Sequence, residues 1–121
     1  MFDLQQILND IQAVTNVKPT AFKTEYRQQA GTMKGINYDI YPMSNDGCVA
    51  VYRLQIRIVE QSLERAIKIA DKITDLLVTL GDEYKYNSAI SVEGGGMLED
   101  DVTGFPIQII YFTITTGIRR A

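Results

Sequence analysis

The segment VAVYRLQIRIVEQSLERAIKIADKITDLL, residues 49–77, decides the fold because its hydrophobic period changes halfway. In its first eleven residues, apolar side chains such as Leu54 and Ile56 alternate with Arg53 and Arg57. A period of two residues is typical of a strand that is buried on one face. The segment therefore begins with a strand whose apolar face needs cover from another element.

The second half of the segment predicts the helix that supplies this cover. Its apolar residues recur every three or four positions, which places them on one face of a helix. The predicted apolar stripe consists of Leu63, Ala66, Ile67, Ala70, Ile73, Leu77 and Leu80. Ser62 precedes the first turn, and we expect its hydroxyl to accept a hydrogen bond from a free backbone N–H as the N-cap. Gly81 is expected to end the helix.

Weaker patterns on both sides of this unit predict the remaining elements. The expected elements are a short helix over about residues 2–14 and strands over residues 20–26, 36–42, 84–92 and 107–116, the second of these ending at Pro42. The stretch Ser44–Gly47 contains Asp-Gly and predicts a hairpin turn. Gly94–Gly96 should end the fourth strand, so that residues 94–104 form a mobile loop or a wide hairpin.

The order α-β-β-β-α-β-β predicts a single α+β domain over residues 1–121. We expect a mostly antiparallel sheet, with the long helix packed on one face and the short N-terminal helix beside it. The strand over residues 107–116 is apolar on both faces, and such a strand belongs in the middle of a sheet or at an interface.

Composition argues against the commonest enzymes and nucleic-acid readers. The chain of 121 residues has no histidine, a single cysteine (Cys48) and a net charge of −3. The missing histidine removes the commonest general base and metal ligand, and a lone cysteine cannot form a Cys-based zinc site. The charge gives no basic footprint for nucleic acid. We therefore predict no catalytic residues, no cofactor and no metal, and neither sequence-specific nucleic acid nor membrane as a partner.

The acidic stretch after the triple glycine has two interpretations. Glu99, Asp100 and Asp101 supply oxygen ligands of the kind that bind Ca²⁺ or Mg²⁺, but the alternating spacing of an EF-hand loop is missing. The same carboxylates would repel a phosphate from the glycines. A solvated acidic loop is the favoured interpretation, and we take Met97, Glu99, Asp100 and Asp101 as a candidate loop facing a lumen or a partner.

The candidate subunit interface combines polar and apolar residues of two strands. Arg53 and Arg57 line either a solvent face or a polar contact between subunits, because arginine is enriched at interfaces. Ile107, Ile109 and Tyr111 share one face of the closing strand. This face is either packed inside a monomer or available for a second copy.

Several stretches together resemble the tail terminator (tail completion) proteins of long-tailed bacteriophages, some of which are known as minor capsid proteins. The chain opens with MFDLQQILNDIQAV, and its strand VAVYRLQIRIVEQS runs directly into the helix SLERAIKIADKITDLL. The stretch GGGMLEDDVTGFP then leads into the apolar strand IQIIYFTITTG. The similarity extends over about residues 2–118.

The resemblance implies a ring of six subunits on the end of a finished tail tube. Such a ring stops polymerisation of the tail tube protein and presents the surface that joins the head-completion or connector protein. Its bore lets DNA pass, and the acidic loop would repel the phosphate backbone there. The expected location is the virion tail or neck, and the host cytoplasm during assembly. A head–tail connector or neck protein, and a small dimeric binding module or regulator, remain as alternatives.

Overall fold

The computed structural model describes residues 4–21, 35–78, 86, 88–99 and 104–117. Its elements in chain order are α1 (Leu4–Thr15), β1 (Thr20–Ala21), β2 (Gly35–Asn45), β3 (Val49–Val59), α2 (Leu63–Leu77), β4 (Ala89–Glu99) and β5 (Pro106–Gly117). The five strands form one sheet in the order β1-β2-β3-β5-β4. The α+β class and the mostly antiparallel sheet are confirmed.

The sheet is antiparallel except at one edge. β1 lies parallel to β2 through two residues only, whereas β2–β3, β3–β5 and β5–β4 are long antiparallel pairs. β5 therefore lies between β3 and β4, and it is apolar on both faces because Ile110 and Phe112 pack in the core beneath the helices while Ile107 and Ile109 pack in a second cluster on the opposite face. The expectation of a position inside the sheet is confirmed for this strand.

The main hydrophobic core lies between the helices and one face of the sheet. α2 packs on β3, β4 and β5, and α1 packs on α2. The buried members of this core are Ile7, Ile11, Ile36, Leu54, Ile56, Ile58, Ala66, Ala70, Ile73, Leu77, Tyr86, Ile90, Ile110, Phe112 and Ile114. The predicted stripe of α2 is confirmed at four positions and wrong at two, because Leu63 and Ile67 are exposed. The predicted end of the helix at Gly81 is also wrong, because α2 ends at Leu77 and its C-cap Val78 has an extended backbone; Leu80 and Gly81 themselves lie outside the described residues.

The turn between β2 and β3 forms as predicted. The carboxylate of Asp46 accepts hydrogen bonds from the backbone N–H groups of Cys48 (2.8 Å) and Val49 (2.7 Å). These bonds hold the pKa of Asp46 below its usual value, with the Val49 bond contributing most. Gly47 has a φ of 89°, a left-handed conformation that favours glycine. The hairpin is thus closed by its own side chains and backbone.

The predicted end of β2 is wrong, and the predicted capping hydrogen bond of α2 does not form, although its N-cap position is confirmed. β2 continues through Pro42, beside a register shift between Pro42 and Ser44; proline is tolerated where a strand lies near a sheet edge. At the N-terminus of α2, Ser62 occupies the N-cap position but makes no side-chain capping hydrogen bond. The predicted strand over residues 20–26 is seen as β1 at its first two residues, and the rest lies outside the described residues.

The predicted loop at the triple glycine is also wrong for residues 94–99, which continue β4 as far as Glu99. The glycines continue the strand, because the close approach of Gly95 to the backbone of β5 leaves no room for a side chain. A Cβ on Gly95 would lie 2.2 Å from the carbonyl oxygen of Ile109 on β5. A register shift between Val92 and Gly94 accompanies this close approach.

Candidate subunit interface

All five predicted interface residues lie on the sheet face opposite the helices, hereafter the second face. Cross-strand partners share a face, and the register pairs Arg57 with Ile109 and residue 55, between the two arginines, with Tyr111. Arg53 and Ile107 follow by the alternation of side chains along each strand. The structure thus brings the two arginines of β3 beside the apolar residues of β5.

Arg53 is the centre of a polar cluster on the second face. Its Nε donates to Oε2 of Glu93 at 3.0 Å and its Nη2 donates to Oε1 of Glu93 at 2.7 Å. Thr113 donates its hydroxyl to the same Oε2 at 2.9 Å. The guanidinium carbon of Arg53 lies 5.4 Å from the ring centroid of Tyr111, within the range of a cation–π contact.

These contacts shift the pKa values of Arg53 and Glu93 in the directions that favour their charged forms. The hydrogen bonds to Glu93 raise the pKa of Arg53 above its ordinary value, and a hydrogen bond with Tyr41 adds to the effect. The hydrogen bonds from Arg53, and then from Thr113, lower the pKa of Glu93. The side chains remain 27% and 41% exposed, respectively. Their charges are therefore partly available to a partner that covers this face.

The other end of the second face is apolar and largely closed. Ile107 and Ile109 are buried together with Val59, and Phe105 and Tyr111 pack against them. Only 6% of Ile107 and 7% of Ile109 is exposed, so these two side chains offer little area to a second copy. The polar cluster and the rim of Tyr111 are the accessible parts of the predicted interface.

The predicted lumen or partner residues lie on a strand as far as the structure describes them. Met97 and Glu99 belong to β4, whose residues Ser91–Glu99 are all exposed. Asp100 and Asp101 lie outside the described residues. β4 pairs with β5 on one side, and no described strand pairs with its other side. It is a long edge strand whose two faces both reach solvent.

A groove runs between this edge strand and α2, and we name it the α2–β4 groove. Three adjoining concavities of about 500, 430 and 520 Å³ compose it. Its apolar lining consists of Leu63, Ile67, Ala70, Val92, Gly94–Leu98, Gly104, Pro106, Ile109 and Ile110. Leu63, Ile67 and Met97 are 47%, 42% and 43% exposed, which is high for large apolar side chains.

The sequence analysis missed this groove because it assigned Leu63 and Ile67 to the core. At about 100° per residue, these two residues lie on one flank of the stripe whose centre is formed by Ala66, Ala70 and Ile73. The sequence did carry a signal for the groove. The apolar stripe of α2 is wider on one side than contact with one sheet requires. The exposed residues of β4 gave no such signal, since they resembled a loop.

The described residues contain no group of three or more His, Cys, Asp or Glu side chains that could hold a metal ion. Cys48 is exposed in the turn between β2 and β3. Among the described helices, none is long and apolar enough to cross a membrane. The strongest surface features are therefore the polar cluster and the α2–β4 groove, both of which suit contacts with protein.

Comparison with known proteins adds no family. No protein-family model matches the chain, and no curated protein is significantly similar to it. Arguments about function thus depend on the residues and surfaces described above.

Proposed function

We propose that the protein is a structural subunit of a phage virion, which assembles as a ring of about six copies and caps the end of the tail tube. The observation that supports this most directly is the edge strand β4, which exposes Val92, Met97 and Leu98 over eleven residues. A long apolar edge is an aggregation hazard that proteins cover or pair. A closed ring covers every such edge.

The ring ends polymerisation of the tail tube protein and joins the tube to a head-completion or connector protein. The polar cluster around Arg53 and the groove beside α2 lie on different faces of the sheet. A subunit with separate surfaces can contact a neighbour, the tube and the connector at the same time. The protein functions in the virion tail or neck, after assembly in the host cytoplasm, without catalytic residues, metal or cofactor.

The acidic residues at the end of β4 suit a bore through which DNA passes. Glu99 is exposed, and Asp100 and Asp101 follow it in the sequence. Carboxylates facing a bore repel the phosphate backbone and keep DNA from binding to the wall. We expect the triple variant Glu99→Gln, Asp100→Asn, Asp101→Asn to retain ring formation and to slow DNA passage. Unchanged DNA ejection from assembled particles would contradict this role.

The first experiment is the mass of the purified chain by light scattering over a wide concentration range, with negative-stain microscopy of large species. A ring of about six subunits is the expected result. Purified tail tubes should then bind the protein at one end and stop growing when free tube protein is added.

Other outcomes would favour the alternatives. A dimer at all concentrations that leaves tube growth unchanged would support the binding module or regulator. A ring that binds connector but not tubes would support the neck protein. A monomer that neither binds tubes nor affects their growth would contradict the proposal.

A further inference from the structure

The two halves of β4 are held in the sheet by different means. In the first half, Ile90 is 3% exposed and packs in the main core, and Glu93 forms its two-bond ion pair with Arg53 across β5. In the second half, Gly94–Glu99, every residue is exposed. We name this second half the outer segment of β4.

The outer segment has little besides backbone pairing with β5 to keep it in place. Its large apolar side chains, Met97 and Leu98, are 43% and 53% exposed, so much of each stays in contact with water. Among the described residues, the side-chain hydrogen bond to this segment runs from Nε2 of Gln108 to the carbonyl oxygen of Gly96, and it is long at 3.3 Å. Low burial and solvent-exposed backbone bonds are the marks of a region that opens locally.

The composition of the outer segment also favours release. It begins with Gly94, Gly95 and Gly96, and glycine gains more backbone freedom on leaving a strand than any other residue. The sequence pattern of the same stretch predicts a loop, because glycines and acidic residues are depleted in strands. Pairing with β5 therefore opposes the local preference of the chain.

A boundary separates the outer segment from the rest of β4. The register on β5 shifts between Val92 and Gly94, and the residue at the shift is Glu93. The carboxylate of Glu93 is held by Arg53 of β3 and by Thr113 of β5. Opening that begins at the far end of the strand thus stops at Glu93 unless these bonds also break.

We propose that the outer segment of β4 is a conformational switch, which separates from β5 as one unit about a hinge at Glu93 while the rest of the domain stays folded. In the closed state the segment covers the outer edge of β5, where Gly95 lies against the backbone of Ile109. In the open state that edge is uncovered, together with Ile109 and Ile110, which line the α2–β4 groove. The switch controls access to β5, and it is a property of the single chain that does not depend on the proposed ring.

Native-state proteolysis with thermolysin tests the switch, at a concentration where the chain is monomeric. Thermolysin cuts before bulky apolar residues, so it should cut an open outer segment before Met97 or Leu98, and mass spectrometry identifies these sites. The initial cleavage rate tracks the population of the open state when opening and closing are fast. Because a local opening exposes little surface, cleavage at these sites should change little with urea, whereas cleavage before Ile56 of β3 should rise steeply.

The three glycines provide matched variants with opposite expected effects. Gly94 and Gly96 have open space for a Cβ and no positive φ, so Gly94→Ala and Gly96→Ala should each slow the cleavage about two- to fivefold by restricting the released chain. Gly95→Ala should speed it at least about fivefold, because its Cβ would meet the backbone oxygen of Ile109 in the closed state alone.

A disulfide across the two strands gives a second test. Met97 and Gln108 are register partners, and Met97→Cys with Gln108→Cys, in a Cys48→Ser background, should hold the outer segment closed after oxidation. Cleavage in the segment should fall at least about tenfold and recover on reduction. The control pair Asp39→Cys and Gln55→Cys joins β2 to β3 in the same background and should leave this cleavage unchanged.

Three results would overturn the switch. Cleavage in the outer segment that rises with urea as steeply as cleavage in β3 would show that the strand opens only when the whole domain unfolds. Equal changes from the three glycine variants, or undiminished cleavage in the oxidised disulfide variant, would show that separation from β5 is not the step that exposes the segment. If Gly95→Ala does not fold, the other variants still decide. None of these results bears on the proposed ring, which light scattering and tube binding test separately.

Discussion

Arg53 on β3 forms a two-bond ion pair with Glu93 on β4, although β5 lies between the two strands. The pair spans β5 because Glu93 lies at the register shift between Val92 and Gly94, and Thr113 of β5 donates to the same carboxylate. The guanidinium also lies over Tyr111. One arginine thereby links the three strands on the second face.

We expect Arg53→Gln and Glu93→Gln each to lower the melting temperature by a few degrees, because either change breaks the two-bond pair that links β3 to β4. A double-mutant cycle should show coupling, with the double variant losing little more than the more damaging single variant. The control is the pair Glu64 and Lys68 on α2, whose side chains are 78% and 69% exposed. Neutralising that pair should change stability little, and equal effects from the two pairs would contradict the prediction.

The same carboxylate predicts a dependence on pH. The pKa of Glu93 is lowered in the folded chain, chiefly by Arg53, so the folded state holds this carboxylate ionised where the unfolded state takes up a proton. Its contribution to stability is present above its ordinary pKa of 4.5 and is lost as the pH falls through the folded value. The stability difference between the native chain and Glu93→Gln should therefore shrink as denaturation is measured at pH values falling below 4.5.

Gly95 should be the least replaceable of the three consecutive glycines. A Cβ at this position would meet the backbone oxygen of Ile109 at 2.2 Å, so Gly95→Ala must push β4 away from β5. We expect a loss of about 1–3 kcal/mol, the usual cost of overpacking. Gly96 has nothing within 4 Å of such a Cβ, and Gly96→Ala should stay within about 0.5 kcal/mol of the native value by urea denaturation. Equal losses would show that β4 does not need this close approach.

Local periodicity predicts β3 and α2 well, because each of them packs one side against the same hydrophobic core. β3 alternates as expected, with Leu54 and Ile56 fully buried against the helices, and α2 buries Ala66 and Ile73 on the predicted stripe. The two-faced pattern of β5 likewise matches its place between two strands. These hydrophobic patterns indicate which side chains are buried, and in this unit burial follows from the packing of the helix on the sheet.

The parts that could not be predicted depend on contacts between distant residues. Nothing near the triple glycine indicates that Gly95 must approach β5, so a strand was mistaken for a loop. Nothing in the sequence joins Arg53 to Glu93, which lie 40 residues apart. An apolar pattern also cannot tell a residue buried in the monomer from one that awaits a partner, as Ile67 shows.

Tyr86 should stabilise the position of α1 through a partly buried hydrogen bond. Its hydroxyl donates to Oδ2 of Asp10 at 2.7 Å, and the residue is 3% exposed. Tyr86→Phe should cost about 0.5–1.5 kcal/mol in urea denaturation. Tyr38→Phe, at a half-buried tyrosine of β2, is the matched change and should cost less. A loss no larger than that of Tyr38→Phe would contradict the role of this bond.

Burial, and then the bond to Asp10, raise the pKa of Tyr86 above its ordinary value of 10.0. The folded chain therefore keeps the phenol protonated at a pH where the unfolded chain has lost the proton. The contribution to stability is present below pH 10.0 and declines as the pH rises above it. Tyr86→Phe should flatten this alkaline decline.

Two isoleucines of α2 allow effects on assembly to be separated from effects on folding. Ile67 lines the α2–β4 groove, whereas Ile73, two turns away, is fully buried in the core. We expect Ile67→Lys to change the free energy of unfolding by no more than about 0.5 kcal/mol, measured at a concentration where the chain is monomeric, since no core packing is lost. The same variant should abolish the ring in light scattering.

Ile73→Ala is the counterpart, and it should cost about 2–5 kcal/mol because it leaves a cavity beneath the helix. Where this variant is still folded, its groove is intact, and it should form rings at high concentration. If Ile67→Lys destabilised the monomer as much as Ile73→Ala, Ile67 would belong to the core. The α2–β4 groove would then not be an exposed surface for subunit contact. If Ile67→Lys left the mass of the assembly unchanged, the surface between α2 and β4 would not be where the subunits meet.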